Sequence, residues 1–98
     1  MKDKKASNKE QAKKSAVAFT ENAWEDYLHW QQENPKLVLK INALIEACIS
    51  DPFDGIGKPE PLKGNLAGLW SRRIDREHRL VYAVEGASVY IVACRYHY

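Results

Sequence analysis

Cysteine is scarce in this chain, with Cys48 and Cys94 the two present. Neither has a CxxC partner or a Cys/His neighbour at metal-ligand spacing, and both sit in apolar surroundings. Buried free thiols are therefore expected in preference to a disulfide or a zinc site. Long apolar runs are missing as well. The longest fall far short of the ~20 residues that span a bilayer, and the lysines at the N-terminus are not followed by the apolar stretch of a secretory signal. A cytoplasmic protein without a membrane partner is expected. The sequence also has no P-loop, no GxGxxG, no Ser or Cys nucleophile within a signature and no His/Asp/Glu cluster at ligand spacing. No cofactor and no metal are implied, so the chemistry is expected to rest on the chain's own acids, bases and cations.

What is present is enough for one small core. The 98 residues are 45% hydrophobic and include three Trp and five Tyr, which suits a single domain and leaves no room for a second. The net charge of +2 is the remainder of three unlike blocks. Residues 1–15 carry six Lys against Asp3 and Glu10. From Ala16 to Gly57 two Lys oppose seven acids, and from Lys58 onward seven cations, five of them Arg, oppose four acids. The planar fork of arginine suits phosphate oxygens, so the C-terminal half is the candidate anion-binding half.

Residues 1–15 have no apolar period and read as a flexible Lys-rich tail, a solvated leader in preference to a nucleic-acid arm. A single domain is then expected over residues 16–98. Ala16–Phe19 reads as a first strand. Thr20 or Asn22 offers an N-cap, and Trp24, Tyr27, Leu28 and Gln31 follow on one helical face. Asn34-Pro35 ends that helix and opens a second, in which Leu37, Val38, Ile41, Leu44, Ile45, Cys48 and Ile49 recur at helical spacing until Asp51-Pro52. The shared loop is short enough to force a helical hairpin. Pro52–Gly68 is rich in Gly and Pro and reads as a long irregular connection. Three strand-like runs follow, Leu69–Ile74, Arg79–Val84 and Val89–Arg95, joined by turns at Asp75–His78 and Glu85–Ser88. The expected fold class is α+β: an N-terminal strand, a helical hairpin and an antiparallel β-meander that presents Arg on its surface.

The closing run Ala93-Cys94-Arg95-Tyr96-His97-Tyr98 places an imidazole and a phenol at the tip of an apolar strand, where chain ends are ordinarily frayed and polar. Together with Glu60 in the connection and Arg79 at a strand start, these residues supply the inventory for cleaving RNA through its own 2′-hydroxyl. One group removes the 2′-OH proton, another protonates the departing 5′ oxygen, and a fixed cation stabilises the charge on the phosphoryl oxygens. Glu60 would be the base, Arg79 the clamp, and His97 or Tyr98 the acid. Each has a plainer alternative: Glu60 as a solvated charge, Arg79 as half of an exposed ion pair with Glu77, Tyr96 and Tyr98 as caps on the core edge. His29 and His78 have no catalytic neighbour in the sequence and read as structural, and Trp70 reads as a core residue packed against the helices, with an exposed indole that stacks a base as the alternative.

The segments Gly57-Lys58-Pro59-Glu60-Pro61-Leu62-Lys63-Gly64-Asn65-Leu66, Trp70-Ser71-Arg72-Arg73-Ile74, Glu77-His78-Arg79-Leu80-Val81-Tyr82 and the closing run to Tyr98 closely resemble the YoeB (Txe) toxins of the RelE superfamily. Trp24-Glu25-Asp26-Tyr27 and Trp30-Gln31 are similar to that family too, so the likeness covers about Val17 to Tyr98 and leaves out the tail. The resemblance implies a bacterial type II toxin: a metal-independent, ribosome-dependent endoribonuclease that cuts mRNA in the ribosomal A site. It also implies a YefM or Phd-like antitoxin that masks the Arg-rich face and displaces the C-terminal residues, a toxin homodimer, and operator DNA bound through the antitoxin. Carried over by residue, it implies Glu60 as general base, Arg79 as transition-state arginine, and His97 with Tyr98 at the acid end. Lys63 and Arg73 would hold RNA phosphates, Glu77 would position Arg79, and Lys58, Arg72 and Arg76 would be further basic neighbours of the RNA. A competing reading is a non-catalytic module that holds RNA or acts as co-repressor on DNA. Salt-dependent RNA affinity without cleavage would mark it.

Overall fold

The computed structural model describes residues 16–96; the expected tail over 1–15, and His97 and Tyr98, lie outside the described residues. The elements are β1 (Ala16–Phe19), α1 (Glu21–Glu33), α2 (Pro35–Ser50), β2 (Glu60–Pro61), a short 3₁₀ turn at Gly64–Leu66, β3 (Trp70–Arg73), β4 (Arg79–Glu85) and β5 (Ser88–Ala93). This is the expected α+β arrangement, with one strand, β2, inside the stretch read as irregular. The five strands form one sheet in the order β1-β5-β4-β3-β2. Neighbours from β2 to β5 are antiparallel, and β1 lies parallel to β5 at the far edge. Among the described residues no helix is long and apolar enough to cross a membrane.

Capping explains the helical hairpin. Thr20 is the N-cap of α1, its hydroxyl accepting from the Ala23 N–H at 3.1 Å, which satisfies one of the orphan amides of the first turn. Asn34 serves both helices: its own N–H donates to the Trp30 carbonyl, and its side chain accepts from the Leu37 N–H, with Pro35 at the first helical position.

The core lies between the hairpin and one face of the sheet. From α2 it takes Ile41, Leu44 and Cys48, which meet Leu80, Tyr82, Val89 and Ile91 from the strands, and the stripe on α2 is the expected one except at Ile49, which stays exposed. The stripe on α1 is rotated. Ala23 and Trp30 are buried, while Trp24 and Leu28 stay 48% and 43% exposed. Trp30 goes inward because its indole N–H finds a buried acceptor, the Cys94 carbonyl at 2.8 Å. Trp24 instead stacks on Tyr27 and meets Phe19 edge-on, with centroids 5.8 and 5.6 Å apart.

A bulge also corrects the simple alternation expected along β5. Val81 pairs with Ala93 while the next residue, Tyr82, pairs with Ile91, so Val92 is extra. Inserting one residue reverses the facing of the residues beyond it. Cys94 therefore joins Ile91 in the core. Both thiols are free and buried, as expected.

Arg72 departs from its expected role as an RNA-facing cation. It is fully buried. Its Nη2 donates to the carbonyls of Asp51 at 2.5 Å and Asp54 at 2.9 Å, its Nη1 to that of Ile56 at 2.8 Å, and its Nε to the Tyr82 hydroxyl at 3.2 Å. The Tyr82 hydroxyl donates onward to the Pro52 carbonyl at 2.6 Å. A planar fork can serve several carbonyls at once where an ammonium cannot, so this one side chain ties the loop after α2 to the sheet. The loop then turns close against β3. A Cβ at Gly57, where φ is 82°, would stand 2.7 Å from Leu44 Cδ2, and the Gly57 carbonyl accepts from the Arg73 N–H. Only glycine fits there.

Candidate functional site

Strand register sorts the polar residues. Glu60 faces Ser71, Ser71 faces Val81, and Arg73 faces Arg79. Because side chains alternate along a strand, Glu60, Ser71, Arg73 and Arg79 share the face turned away from the hairpin, while Trp70, Arg72, Leu80 and Tyr82 take the core face. The extended pairing of β2, brief as it is, sets Glu60 on that open face.

Arg79 and Glu60 meet there. Arg79 Nη1 donates to Glu60 Oε1 at 2.8 Å and reaches Ser71 Oγ at 3.5 Å. Arg79 is 21% exposed and Glu60 56%, so the pair is open to a ligand, and by itself it adds at most about 1 kcal/mol to stability. Among the described residues no protein acceptor meets Nε or Nη2 of Arg79. Glu77, expected to orient Arg79, does not: it is exposed and makes no ion pair among the described residues, and Glu60 holds the guanidinium instead. Arg73 is exposed beside Arg79, and Lys63 is exposed just past β2.

The end of the described chain is fixed to the same corner. The Tyr96 carbonyl accepts from the Arg79 N–H at 2.8 Å, and the Tyr96 N–H donates to His78 Nδ1 at 2.7 Å. Tyr96 takes a left-handed backbone with φ of 64°, uncommon outside glycine. Upstream, Asp26 Oδ2 accepts from the Cys94 N–H at 3.0 Å and the Thr20 hydroxyl donates to the Val92 carbonyl at 2.9 Å. Residues of α1 and of the β3–β4 turn thus carry the chain to Tyr96, one residue before His97. Burial, reinforced by the Asp26 carboxylate, pushes the Cys94 thiol up to about 12. Burial also raises Cys48 and Tyr82, with Arg72 opposing it at both.

Sequence reasoning named Glu60, Arg79, Arg73 and Lys63 but had no signal for Ser71, or for Asp26, Trp30 and His78 as anchors of the chain end. Their partners are far away in sequence, and no local pattern encodes such pairings.

Residues 19–98 match the family model described as the YoeB-like toxin of bacterial type II toxin-antitoxin system. A toxin YoeB of Synechocystis sp. is 60% identical over 82 residues, covering 84% of this chain and 95% of that protein. Among solved structures, the YoeB dimer from Staphylococcus aureus superposes with a TM-score of 0.81 at 46% identity, covering 87% of this chain and 99% of that one. The YoeB-YefM complex from the same organism gives a TM-score of 0.79 at 48% identity, covering 86% and 98%. With the fold and the sequence in agreement over all but the N-terminal stretch, the chain belongs to the YoeB-like toxins of bacterial type II toxin-antitoxin systems.

Proposed function

We propose that this chain is a ribosome-dependent endoribonuclease that cuts mRNA in the ribosomal A site by general acid/base catalysis, in the cytoplasm and without a metal. The observation that carries the reading is the direct contact of Arg79 with Glu60 on the open face of the sheet, 2.8 Å apart although 19 residues separate them in sequence. Glu60 accepts the proton of the ribose 2′-OH as that oxygen attacks the adjacent phosphorus. The Nε–Nη2 edge of Arg79 holds the phosphoryl oxygens, where negative charge grows as the 2′-O–P bond forms and the P–O5′ bond breaks. The acid end of the site, His97 with Tyr98, gives the departing 5′ oxygen its proton. The products are a 2′,3′-cyclic phosphate and a 5′-hydroxyl. Lys63 and Arg73 steady flanking phosphates, and Lys58 and Arg76 extend the positive surface.

A YefM-type antitoxin and a homodimer are the partners proposed for this chain, supported by the Staphylococcus aureus YoeB structures solved as a dimer and as a YoeB-YefM complex. Operator DNA would be reached through the antitoxin.

The test compares the parent with Glu60→Gln and Arg79→Ala on translating ribosomes, mapping cuts by primer extension and checking folding by circular dichroism. Removing the base should slow cleavage by about 10²–10⁴-fold, and losing the arginine should abolish detectable cuts. Parental cutting by both variants would refute this site. Salt-dependent RNA binding by a parent that never cuts would favour the non-catalytic module instead.

A further inference from the structure

A second cationic feature lies beyond the Glu60–Arg79 pair. Lys40, Gly57, Lys58, Arg73, Ile74, Asp75 and Arg76 line an open cleft of about 340 Å³. Three separate stretches build it: Lys40 comes from the middle of α2, Lys58 from the loop before β2, and Arg73 with Arg76 from the end of β3 and the turn after it. Nothing in the sequence pairs Lys40 with the others, since it lies in the acidic block.

The charges in the cleft are one-sided. Four cations face one carboxylate, Asp75, and Oδ1 of Asp75 already accepts from the N–H groups of Glu77 at 2.8 Å and His78 at 2.7 Å. All four cations are exposed, and among the described residues none has an acidic partner within 4.0 Å. Like charges gathered without counter-charge repel, and an anion would relieve that repulsion. The backbone holds the arrangement in an uncommon form. Gly57 and Lys58 are consecutive residues with positive φ, 82° and 51°, and the left-handed conformation is unfavourable for a non-glycine residue. The Gly57 carbonyl is fastened to the Arg73 N–H, so Lys58 is fixed beside Arg73.

Arg73 belongs to both places. It faces Arg79 across the β3–β4 register and also lines the cleft. A strand whose reacting phosphate lies at Arg79 would pass Arg73 on its way into the cleft. We propose that the cleft of Lys40, Lys58, Arg73 and Arg76 is a second phosphate subsite, which seats a phosphodiester of RNA away from the bond at Glu60–Arg79. The subsite rests on the nuclease reading for its place on the RNA path, and it adds Lys40, on the helical hairpin, to the RNA-binding surface.

The test measures binding of a single-stranded 2′-O-methyl RNA oligonucleotide, which lacks the attacking hydroxyl, by fluorescence anisotropy across a salt series. The parent is compared with the double variant Lys40→Ala/Arg76→Ala and with Lys36→Ala as an α2 control, all verified as folded by thermal melts. Two lost phosphate contacts should lower the slope of log K against log salt by about 1.4 and weaken binding about tenfold at physiological salt, while Lys36→Ala stays parental. Sedimentation with purified ribosomes provides a second arm. A loss confined to ribosomes assigns the phosphodiester to ribosomal RNA, and a loss with the oligonucleotide places a free single strand in the cleft; either supports the subsite. Parental slope and affinity in both arms would overturn it, as would weakened binding to a polyglutamate peptide with RNA binding intact. The two readings separate cleanly: a parent that cuts while the double variant binds RNA normally refutes the cleft alone, and cleft-dependent binding without any cutting refutes the nuclease alone.

Discussion

The backbone N–H of Tyr96 donates to Nδ1 of His78 at 2.7 Å, which fixes the neutral imidazole in the tautomer protonated at Nε2. The ring also meets Trp30 edge to face, with centroids 4.7 Å apart. The next residue, Arg79, donates its N–H to the Tyr96 carbonyl. Two consecutive residues, the last of the β3–β4 turn and the first of β4, therefore fasten one residue near the chain end, and the second of them carries the guanidinium that meets Glu60.

Replacing His78 by Phe keeps a ring against Trp30 but removes the acceptor. The Tyr96 amide should then exchange with solvent markedly faster, and the protein should lose about 1 kcal/mol, the net worth of one hydrogen bond in a part-buried setting. Hydrogen exchange followed by NMR and urea unfolding check the two effects. Parental protection of Tyr96 in the variant would show that this bond does not hold the chain end.

Arg72 and Arg73 are adjacent and chemically identical, yet they should respond in opposite ways. Arg72→Met strands the carbonyls of Asp51, Asp54 and Ile56 and takes away the donor to the Tyr82 hydroxyl, and should cost about 3 kcal/mol or more. Arg73→Ala, at an exposed position, should stay within about 0.5 kcal/mol of the parent while weakening RNA binding. Denaturant unfolding of both variants is the measurement, and equal stabilities would contradict the structural role of Arg72.

Cys94 makes stability fall in alkali. Its thiol is pushed from 9.0 to about 12 by burial and by the Asp26 carboxylate. Below pH 9 both states keep the proton and the contribution is fully present. Above that the unfolded chain loses a proton that the folded one retains, so stability drops by about 1.4 kcal/mol per pH unit until the folded thiol also ionises near 12. Cys48 and Tyr82 are raised as well and act with the same sign. Cys94→Ala should remove about one proton from the pH slope of unfolding above 9 while leaving the Cys48 and Tyr82 part. An unchanged slope would mean that the Cys94 thiol ionises normally.

Local chemistry made most of the elements legible. Asn34-Pro35 marks where one helix ends and the next begins because capping and the fixed φ of proline are short-range effects. The turns at Asp75–His78 and Glu85–Ser88 are read for the same reason, and the α2 stripe follows from helical period alone. Where the sequence reading slipped, a distant partner had intervened. Trp30 turned inward toward the Cys94 carbonyl, and the extra residue Val92 reversed the facing of Cys94; neither is visible from the spacing of apolar residues.

The sequence by itself determined the types of most elements, the free thiols and the gathering of cations after Gly57, because composition, caps and period act over a few residues. Only the tertiary structure decided which charges meet. Strand register brought Glu60 to Arg79 and left Glu77 aside, burial took Arg72 out of the set of surface cations, and helix packing carried Lys40 from an acidic block into a basic cleft. The physical reason is that an ion pair, or a cleft of like charges, depends on distance in space, and a folded chain sets that distance through contacts between residues far apart along it.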